Sequence, residues 1–137
     1  MNKIITLLGA VLISAGLSAQ TINKQTPTHQ QENKKVIETV DVKTFKELLQ
    51  NQEGKVVLLD VRTAEEYKQG HIDNAKNIDV LQKDFVQKIE RLDKNTPVFV
   101  YCRSGHRSMK AAQILKEHGF TKVYNLAGGY IAWSKQK

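Results

Sequence analysis

The sequence contains very little cysteine, proline or tryptophan. Cys102 is the only cysteine among 137 residues, which excludes an internal disulfide framework and a zinc site built from several thiolates. With only 2 prolines and 8 glycines the chain is not a collagen-like fibre, and with 40% hydrophobic residues it does not have the composition of a disordered protein. The length favours one domain over a two-domain enzyme. We therefore expect a single globular domain stabilised by apolar packing.

The longest stretch without charge lies near the amino terminus. After Lys3, fourteen apolar and small residues without charge run from Ile4 to Leu17, and the small residues that follow end at Ala19. A membrane-spanning helix needs roughly 20 apolar residues, so this pattern favours a signal peptide over residues 1–19, cleaved after Ala19. An uncleaved anchor and a buried helix are the alternatives. We therefore expect export across the inner membrane, to a periplasmic location, with membrane contact only during export.

A polar segment follows the leader. Residues 20–35 contain one apolar side chain, Ile22, among sixteen, which predicts a disordered tether. The charge excess of the chain, 21 Lys and Arg against 14 Asp and Glu, is spread along the sequence and is typical of a solvated surface. Because no basic stripe is present, we expect no binding to nucleic acid.

Residues 36–137 show short apolar runs that alternate with amphipathic segments. We predict strands over residues 36–40, 56–61, 77–79, 96–101 and 122–126. We predict one helix that begins after Asp41, one over residues 63–70, one that includes Phe85–Leu92, and two over residues 109–118 and 130–135. The second of these has capping-box spacing between Thr63 and Glu66. This alternation predicts an α/β fold in which helices cover both faces of a mostly parallel sheet.

The lone cysteine follows a predicted buried strand and precedes a predicted helix. In α/β folds this edge of the sheet holds the active site. Gly105 allows the backbone to turn successive N–H groups inward, and the next helix directs its positive amino terminus to the same point. Arg103 and Arg107 add two permanent positive charges. Ser108 is expected to cap the helix, and its hydroxyl is expected to reach the sulfur as well.

Such surroundings lower the pKa of a thiol from its ordinary value of about 8.5. We therefore expect Cys102 to be a thiolate near neutral pH. The alternative is that Cys102 is a small buried hydrophobic residue, which is a common environment for a free cysteine. Further along the chain, Gly128 and Gly129 are expected to allow close backbone approach near this loop.

Three segments, in this order, resemble the rhodanese-like sulfurtransferases in their single-domain form. LLDVRTAEEYKQGHIDNAKNI (residues 58–78) is similar to the upstream signature of that family. CRSGHRS (residues 102–108) is similar to its active-site loop, and GFTKVYNLAGGYIAW (residues 119–133) to its closing signature. The resemblance extends over about residues 37–135 and implies a rhodanese-like domain over residues 36–137.

The resemblance also implies a reaction. A donor such as thiosulfate would pass its outer sulfur to Cys102, and cyanide, a small thiol or a thiol-bearing protein would remove it from the resulting persulfide. Cys102 would be the catalytic residue, and Asp60 and Arg62 would support the loop. The substrate-binding loop would consist of Arg103, Ser104, Gly105, His106, Arg107 and Ser108. The family needs no cofactor and no metal.

Two other interpretations of the loop stay open at the level of sequence. Cysteine phosphatases and arsenate reductases also use a cysteine–arginine loop, but one residue more separates the two than the four found here. A shorter loop suits a single sulfur atom better than a tetrahedral phosphate. The other interpretation is a non-enzymatic module that binds a partner or senses oxidants through Cys102.

Overall fold

The computed structural model describes Gly16 and residues 34–136. The chain divides into two units, Met1–Glu32 and Asn33–Lys137, and every helix and strand given below belongs to the second. Apart from Gly16, the predicted signal peptide lies outside the described residues, as does most of the predicted tether, residues 20–33. In the described part of the chain, none of the helices combines the length and apolar character needed to cross a membrane.

Strands and helices alternate along the described domain, as the sequence predicts. The strands are β1 (Ile37–Val40), β2 (Val57–Asp60), β3 (Lys76–Asn77), β4 (Val98–Tyr101) and β5 (Val123–Leu126). The helices are α1 (Val42–Gln50), α2 (Ala64–Lys68), α3 (Phe85–Ile89), α4 (His106–Glu117) and α5 (Gly129–Ser134).

The strands form one sheet in the order β1-β5-β4-β2-β3, and every pairing between them is parallel. β4 is the central strand, and its four residues are all fully buried. The predicted α/β class with a parallel sheet is therefore confirmed. Because the strands run in one direction, their carboxyl ends meet at one edge of the sheet, and Cys102 directly follows β4 at that edge.

The side chains of β4 alternate between two apolar cores, one on each face of the sheet. Val98 and Val100 belong to the first core and Phe99 and Tyr101 to the second. The first core also contains Phe85 and Ile89 of α3 and Ala111, Ala112 and Leu115 of α4. The second contains Val42 and Phe45 of α1, and Ala132 and Trp133 of α5 pack against it. Helices therefore cover both faces, as predicted.

The predicted caps of the first two helices are confirmed. The Asp41 carboxylate accepts a hydrogen bond of 2.8 Å from the backbone N–H of Thr44 at the start of α1. At the start of α2, the Thr63 hydroxyl accepts from the backbone N–H of Glu66 at 3.2 Å, and the Glu66 carboxylate accepts from the backbone N–H of Thr63 at 3.0 Å. This reciprocal pair is the capping box that the sequence predicts.

The start of α4 differs from the prediction. The helix begins at His106 rather than Met109, and its cap is Gly105, with φ 109° and no side-chain capping bond. The prediction that Ser108 caps this helix is therefore wrong. Ser108 lies in the first turn and its hydroxyl donates to the carbonyl oxygen of Gly105 at 3.1 Å. The left-handed conformation of Gly105 turns the chain into the helix three residues earlier than the apolar pattern indicates.

Candidate active site

Cys102 lies at the end of the central strand, where the chain leaves the sheet. Its side chain is nearly enclosed, with 1% of the residue exposed. The backbone N–H of Gly105 donates a hydrogen bond to the Cys102 sulfur at a distance of 3.0 Å. The loop between β4 and α4 therefore curls around the sulfur and directs a peptide N–H toward it, as the position of Gly105 in the sequence predicts.

Two opposing effects act on the pKa of the Cys102 thiol. Burial, the largest single effect, raises it, because burial disfavours the charged form. Hydrogen bonding from the Ser108 hydroxyl and from the backbone N–H groups of Ser108, Gly105 and Ser104 lowers it. The combined hydrogen bonding is stronger than the burial effect, so the pKa of Cys102 lies below its ordinary value. A lowered pKa increases the fraction of nucleophilic thiolate at neutral pH.

Ser108 has two acceptors within reach of its hydroxyl. In the described geometry the hydroxyl donates to the Gly105 carbonyl oxygen at 3.1 Å, whereas part of the lowering of the Cys102 pKa comes from hydrogen bonding of this hydroxyl to the sulfur. A hydroxyl has one hydrogen, and that hydrogen rotates freely about the C–O bond. We therefore expect the hydroxyl to donate to the sulfur when Cys102 is ionised, since a charged acceptor forms the stronger hydrogen bond.

Arg107 is held by a carboxylate on a different helix. Its two terminal nitrogens donate to the two carboxylate oxygens of Glu66, each at 2.8 Å. Hydrogen bonding from Arg107 is the main reason why the pKa of Glu66 falls to about 2. The charge of the Cys102 thiolate also raises the pKa of Arg107, but less than Glu66 does. Arg107 thus lies in the field of the sulfur while its hydrogen-bonding edge is occupied by Glu66.

The other side chains of the loop face outward. Arg103, Ser104 and His106 are exposed, and Gly105 is half-buried. No carboxylate of the described residues lies within salt-bridge distance of Arg103. The structure therefore brings Gly105 and Ser108 to the sulfur and leaves the guanidinium of Arg103 available at the surface beside it.

Asp60 and Arg62 form a buried ion pair below the loop. The Arg62 Nη2 atom lies 2.6 Å from the Asp60 carboxylate and 2.7 Å from the carbonyl oxygen of Gly70. The Tyr101 hydroxyl donates to the same carboxylate at 2.7 Å, and burial raises the pKa of Tyr101 strongly. This network fixes the residue that precedes Cys102. The sequence pointed to Asp60 and Arg62 but contained no sign that Tyr101 joins them.

Helix α5 binds the backbone of the loop directly. The N–H of Tyr130 donates to the Cys102 carbonyl oxygen at 2.8 Å, and the N–H of Ile131 to the Arg103 carbonyl oxygen at 3.1 Å. Gly129 makes this approach possible, because a Cβ atom there would lie 2.5 Å from the backbone of both loop residues. The close approach predicted for Gly129 is confirmed. Gly128 has a positive φ of 74°, and a Cβ atom there would meet the side chain of Ala132 rather than the loop backbone.

These features define an α/β domain with a cysteine-centred anion loop at the carboxyl edge of a parallel sheet. The model of the rhodanese-like domain family matches residues 41–136, so the chain belongs to the rhodanese-like domain family. This match lies within the predicted domain, residues 36–137.

Individual relatives agree with this assignment. YqhL of Bacillus subtilis is 43% identical over 79 residues, or 58% of this chain and 61% of that protein. The thiosulfate sulfurtransferase GlpE of Coxiella burnetii is 40% identical over 78 residues, or 57% of this chain and 71% of GlpE. The crystal structure of a rhodanese-like domain protein from Staphylococcus aureus matches with a TM-score of 0.62 at 30% identity, covering 70% of this chain and 90% of that one. The chain spans about three fifths of the length of its Bacillus relatives.

Proposed function

We propose that this protein is a sulfurtransferase that moves a sulfane sulfur from a donor such as thiosulfate to a nucleophilic acceptor through a persulfide on Cys102. The observation that carries the proposal is the N–H of Gly105 at 3.0 Å from the Cys102 sulfur, in a loop that lowers the pKa of that thiol. The name of GlpE, a thiosulfate sulfurtransferase at 40% identity, supports the same reaction.

In the first step the Cys102 thiolate attacks the outer sulfur of thiosulfate. A bond forms between the two sulfur atoms, the sulfur–sulfur bond of the donor breaks, and its electron pair leaves with sulfite. The products are the Cys102 persulfide anion and the sulfite dianion, so charge balances without a proton transfer. Inward-directed N–H groups such as that of Gly105 would stabilise negative charge on the sulfur throughout this exchange.

In the second step an acceptor nucleophile attacks the outer sulfur of the persulfide. Cyanide would leave as thiocyanate and a thiol would leave as a persulfide, while the electron pair of the broken bond returns to Cys102 as a thiolate. The lowered pKa of Cys102 favours this step as well, because a stable thiolate is a good leaving group.

The short loop supports sulfur over phosphate as the group transferred. Four residues separate Cys102 from Arg107, and the hydrogen-bonding edge of Arg107 is occupied by Glu66. An arginine commonly binds phosphate by donating to two of its oxygens at once. In this loop such binding would require Arg107 to leave Glu66.

The test is thiocyanate formation from thiosulfate and cyanide by the purified protein and by Cys102→Ser. We expect the substitution to reduce turnover by at least about a thousandfold, since it removes the nucleophile. An unchanged circular dichroism spectrum would show that Cys102→Ser is folded. Turnover by this variant near the wild-type rate, or turnover of an aryl phosphate by a wild-type protein that is inactive with thiosulfate, would overturn the proposal.

We further propose that the protein acts outside the cytoplasm, on the basis of the leader pattern in residues 1–19. Expression of the full chain in a bacterial host, with cell fractionation and amino-terminal sequencing, tests this. We expect mature protein that begins at Gln20 in the periplasmic fraction. Protein that begins at Met1 and remains in the cytoplasmic fraction would overturn the proposal.

A further inference from the structure

A pocket lies between the end of α1, the turn that follows α2, and α5. Its volume is about 420 Å³, which is within the range of sites for small organic molecules, roughly 300–1,000 Å³. None of the cysteine-loop residues, 102–108, belongs to its lining. The pocket is lined by Leu49, His71, Ile72, Asp73, Tyr130 and Trp133.

Aromatic rings form much of the wall of this pocket, and the largest of them is that of Trp133. The face of an indole ring carries negative potential and attracts cations. The Trp133 ring already does so within the protein, because the Lys46 ammonium nitrogen lies 4.6 Å from its centroid. Phe45 holds the ring in an edge-to-face contact, with the two centroids 6.3 Å apart. Trp133 therefore provides a fixed surface that favours positive charge.

The hydrogen-bonding role of His71 in the lining is fixed by Tyr67. The two rings stack with centroids 3.7 Å apart and planes 8° from parallel, and His71 Nδ1 lies 2.8 Å from the Tyr67 carbonyl oxygen. Because a carbonyl oxygen can only accept, Nδ1 carries the hydrogen of the neutral imidazole, and Nε2 is then an acceptor. His71 is exposed, so its ring offers an acceptor to a ligand.

The charge of the lining is negative. Asp73 is its only carboxylate, and no lysine or arginine belongs to it. Among the described residues, no lysine, arginine or histidine nitrogen lies within salt-bridge distance of the Asp73 carboxylate. Leu49 and Ile72 add apolar surface beside it. The pocket is therefore complementary to a positive charge that is attached to an apolar carbon chain.

We infer that this pocket binds a small organic molecule with a primary ammonium group and a short apolar chain. The ammonium group lies beside the Trp133 ring and donates hydrogen bonds to the Asp73 carboxylate and to His71 Nε2. The carbon chain packs against Leu49 and Ile72. Binding at this pocket does not require sulfur transfer, so it goes beyond the proposed function and is independent of it.

The test compares two probes of similar shape that differ in charge, n-butylammonium and the neutral 1-butanol, by NMR titration at constant ionic strength. Trp133 is the only tryptophan of the chain, so its single indole N–H resonance reports binding at this pocket. We expect both probes to shift that resonance. The dissociation constant of n-butylammonium should be lower than that of 1-butanol by about fivefold or more, because only the ammonium ion is attracted by Asp73 and the indole face.

Two substitutions should change the affinity for n-butylammonium in opposite directions. Asp73→Asn removes the negative charge with almost no change in shape, and we expect binding to weaken by about fivefold or more. Lys46→Gln removes the cation that lies over the Trp133 ring, and we expect binding to become about twofold tighter or more, which a loss of folding cannot produce. The matched control is Glu117→Gln, an exposed position on α4 outside the pocket, which should stay within about twofold of wild type.

Equal dissociation constants for the two probes, or an indole resonance that n-butylammonium does not shift, would overturn the inference. Equal effects of the Asp73 and Glu117 substitutions, or weaker binding in Lys46→Gln, would do the same. Failure of the proposed function has a different signature, namely no persulfide on Cys102 after treatment with thiosulfate, whether or not n-butylammonium binds.

Discussion

At the scale of single residues, hydrogen bonds from Ser108, Gly105 and Ser104 are the main causes that lower the pKa of Cys102. The sequence indicated inward N–H groups, a helix amino terminus, the charges of Arg103 and Arg107, and the Ser108 hydroxyl, and gave no ranking among them. In the structure Arg107 is bound by Glu66 and Arg103 is exposed, while Ser108 and the loop amides oppose the effect of burial on the thiol.

We expect Ser108→Ala to raise the pKa of Cys102, because it removes the largest of the hydrogen-bonding contributions that lower it. The thiolate fraction near neutral pH should fall, so the midpoint of the alkylation rate against pH should move to higher pH. Ser104→Ala is the matched control, since Ser104 acts on the sulfur through its backbone N–H only. A profile for Ser108→Ala that matches wild type would contradict this role.

At the scale of elements, α5 fixes the backbone of the cysteine loop. Gly129 is where the two approach most closely, and a Cβ atom there would overlap the backbone of Cys102 and Arg103. We expect Gly129→Ala to displace the loop, reducing sulfur transfer by at least about tenfold and stability by about 2–3 kcal/mol. Both effects follow from the same overlap.

Gly54→Ala is the matched control for this substitution. Gly54 also has a positive φ, 100°, but a Cβ atom there would have no neighbouring atom within 4 Å. It precedes the amino end of β2, at the edge of the sheet opposite to Cys102. We expect Gly54→Ala to lower the free energy of unfolding by roughly 1 kcal/mol through backbone strain and to leave sulfur transfer unchanged. Sulfur transfer is measured by thiocyanate formation and stability by thermal unfolding. Wild-type activity in Gly129→Ala would show that α5 does not position the loop.

Much of this arrangement can be read from the sequence, and the reasons for the exceptions are physical. The runs at β2 and β4 are apolar because both faces of a central strand are covered. β3 lies at the edge of the sheet and is only two residues long, so it does not need a long apolar run. The early start of α4 depends on the φ of Gly105, which no apolar pattern reveals.

The salt bridge between Glu66 and Arg107 could not be predicted from the local sequence pattern. The two residues are 41 positions apart, so their contact depends on the packing of α2 against the start of α4 and not on local spacing. The sequence pattern identifies Glu66 only as part of a capping box. Once a helix cap is found, nothing in the local sequence indicates that the same carboxylate has a second partner.

At the scale of the whole molecule, the salt bridge between Glu66 and Arg107 makes the free energy of unfolding depend on pH. The pKa of Glu66 in the folded protein is about 2, below its ordinary value of 4.5, chiefly because of hydrogen bonding from Arg107. A carboxylate with a depressed pKa stabilises the fold above its unfolded pKa and loses this contribution as the pH falls. The loss should therefore occur between pH 4.5 and about 2.

We expect Glu66→Gln to lower the free energy of unfolding by about 1 kcal/mol at neutral pH, a modest value because the pair is partly exposed to solvent. The difference from wild type should shrink as the pH falls below 4.5. Glu65→Gln, at the neighbouring exposed position, is the control and should change little. Urea unfolding at several pH values measures both, and a difference that stays constant down to about pH 2 would contradict the assignment.

The most direct measurement is the intact mass of the protein after treatment with thiosulfate, followed by cyanide. A gain of about 32 Da, one sulfur atom, confined to the peptide with Cys102 and removed by cyanide, is the predicted result. A protein that gains no sulfur, or one in which Cys102 instead accumulates as a stable sulfenic or sulfinic acid, would contradict sulfur transfer through this residue.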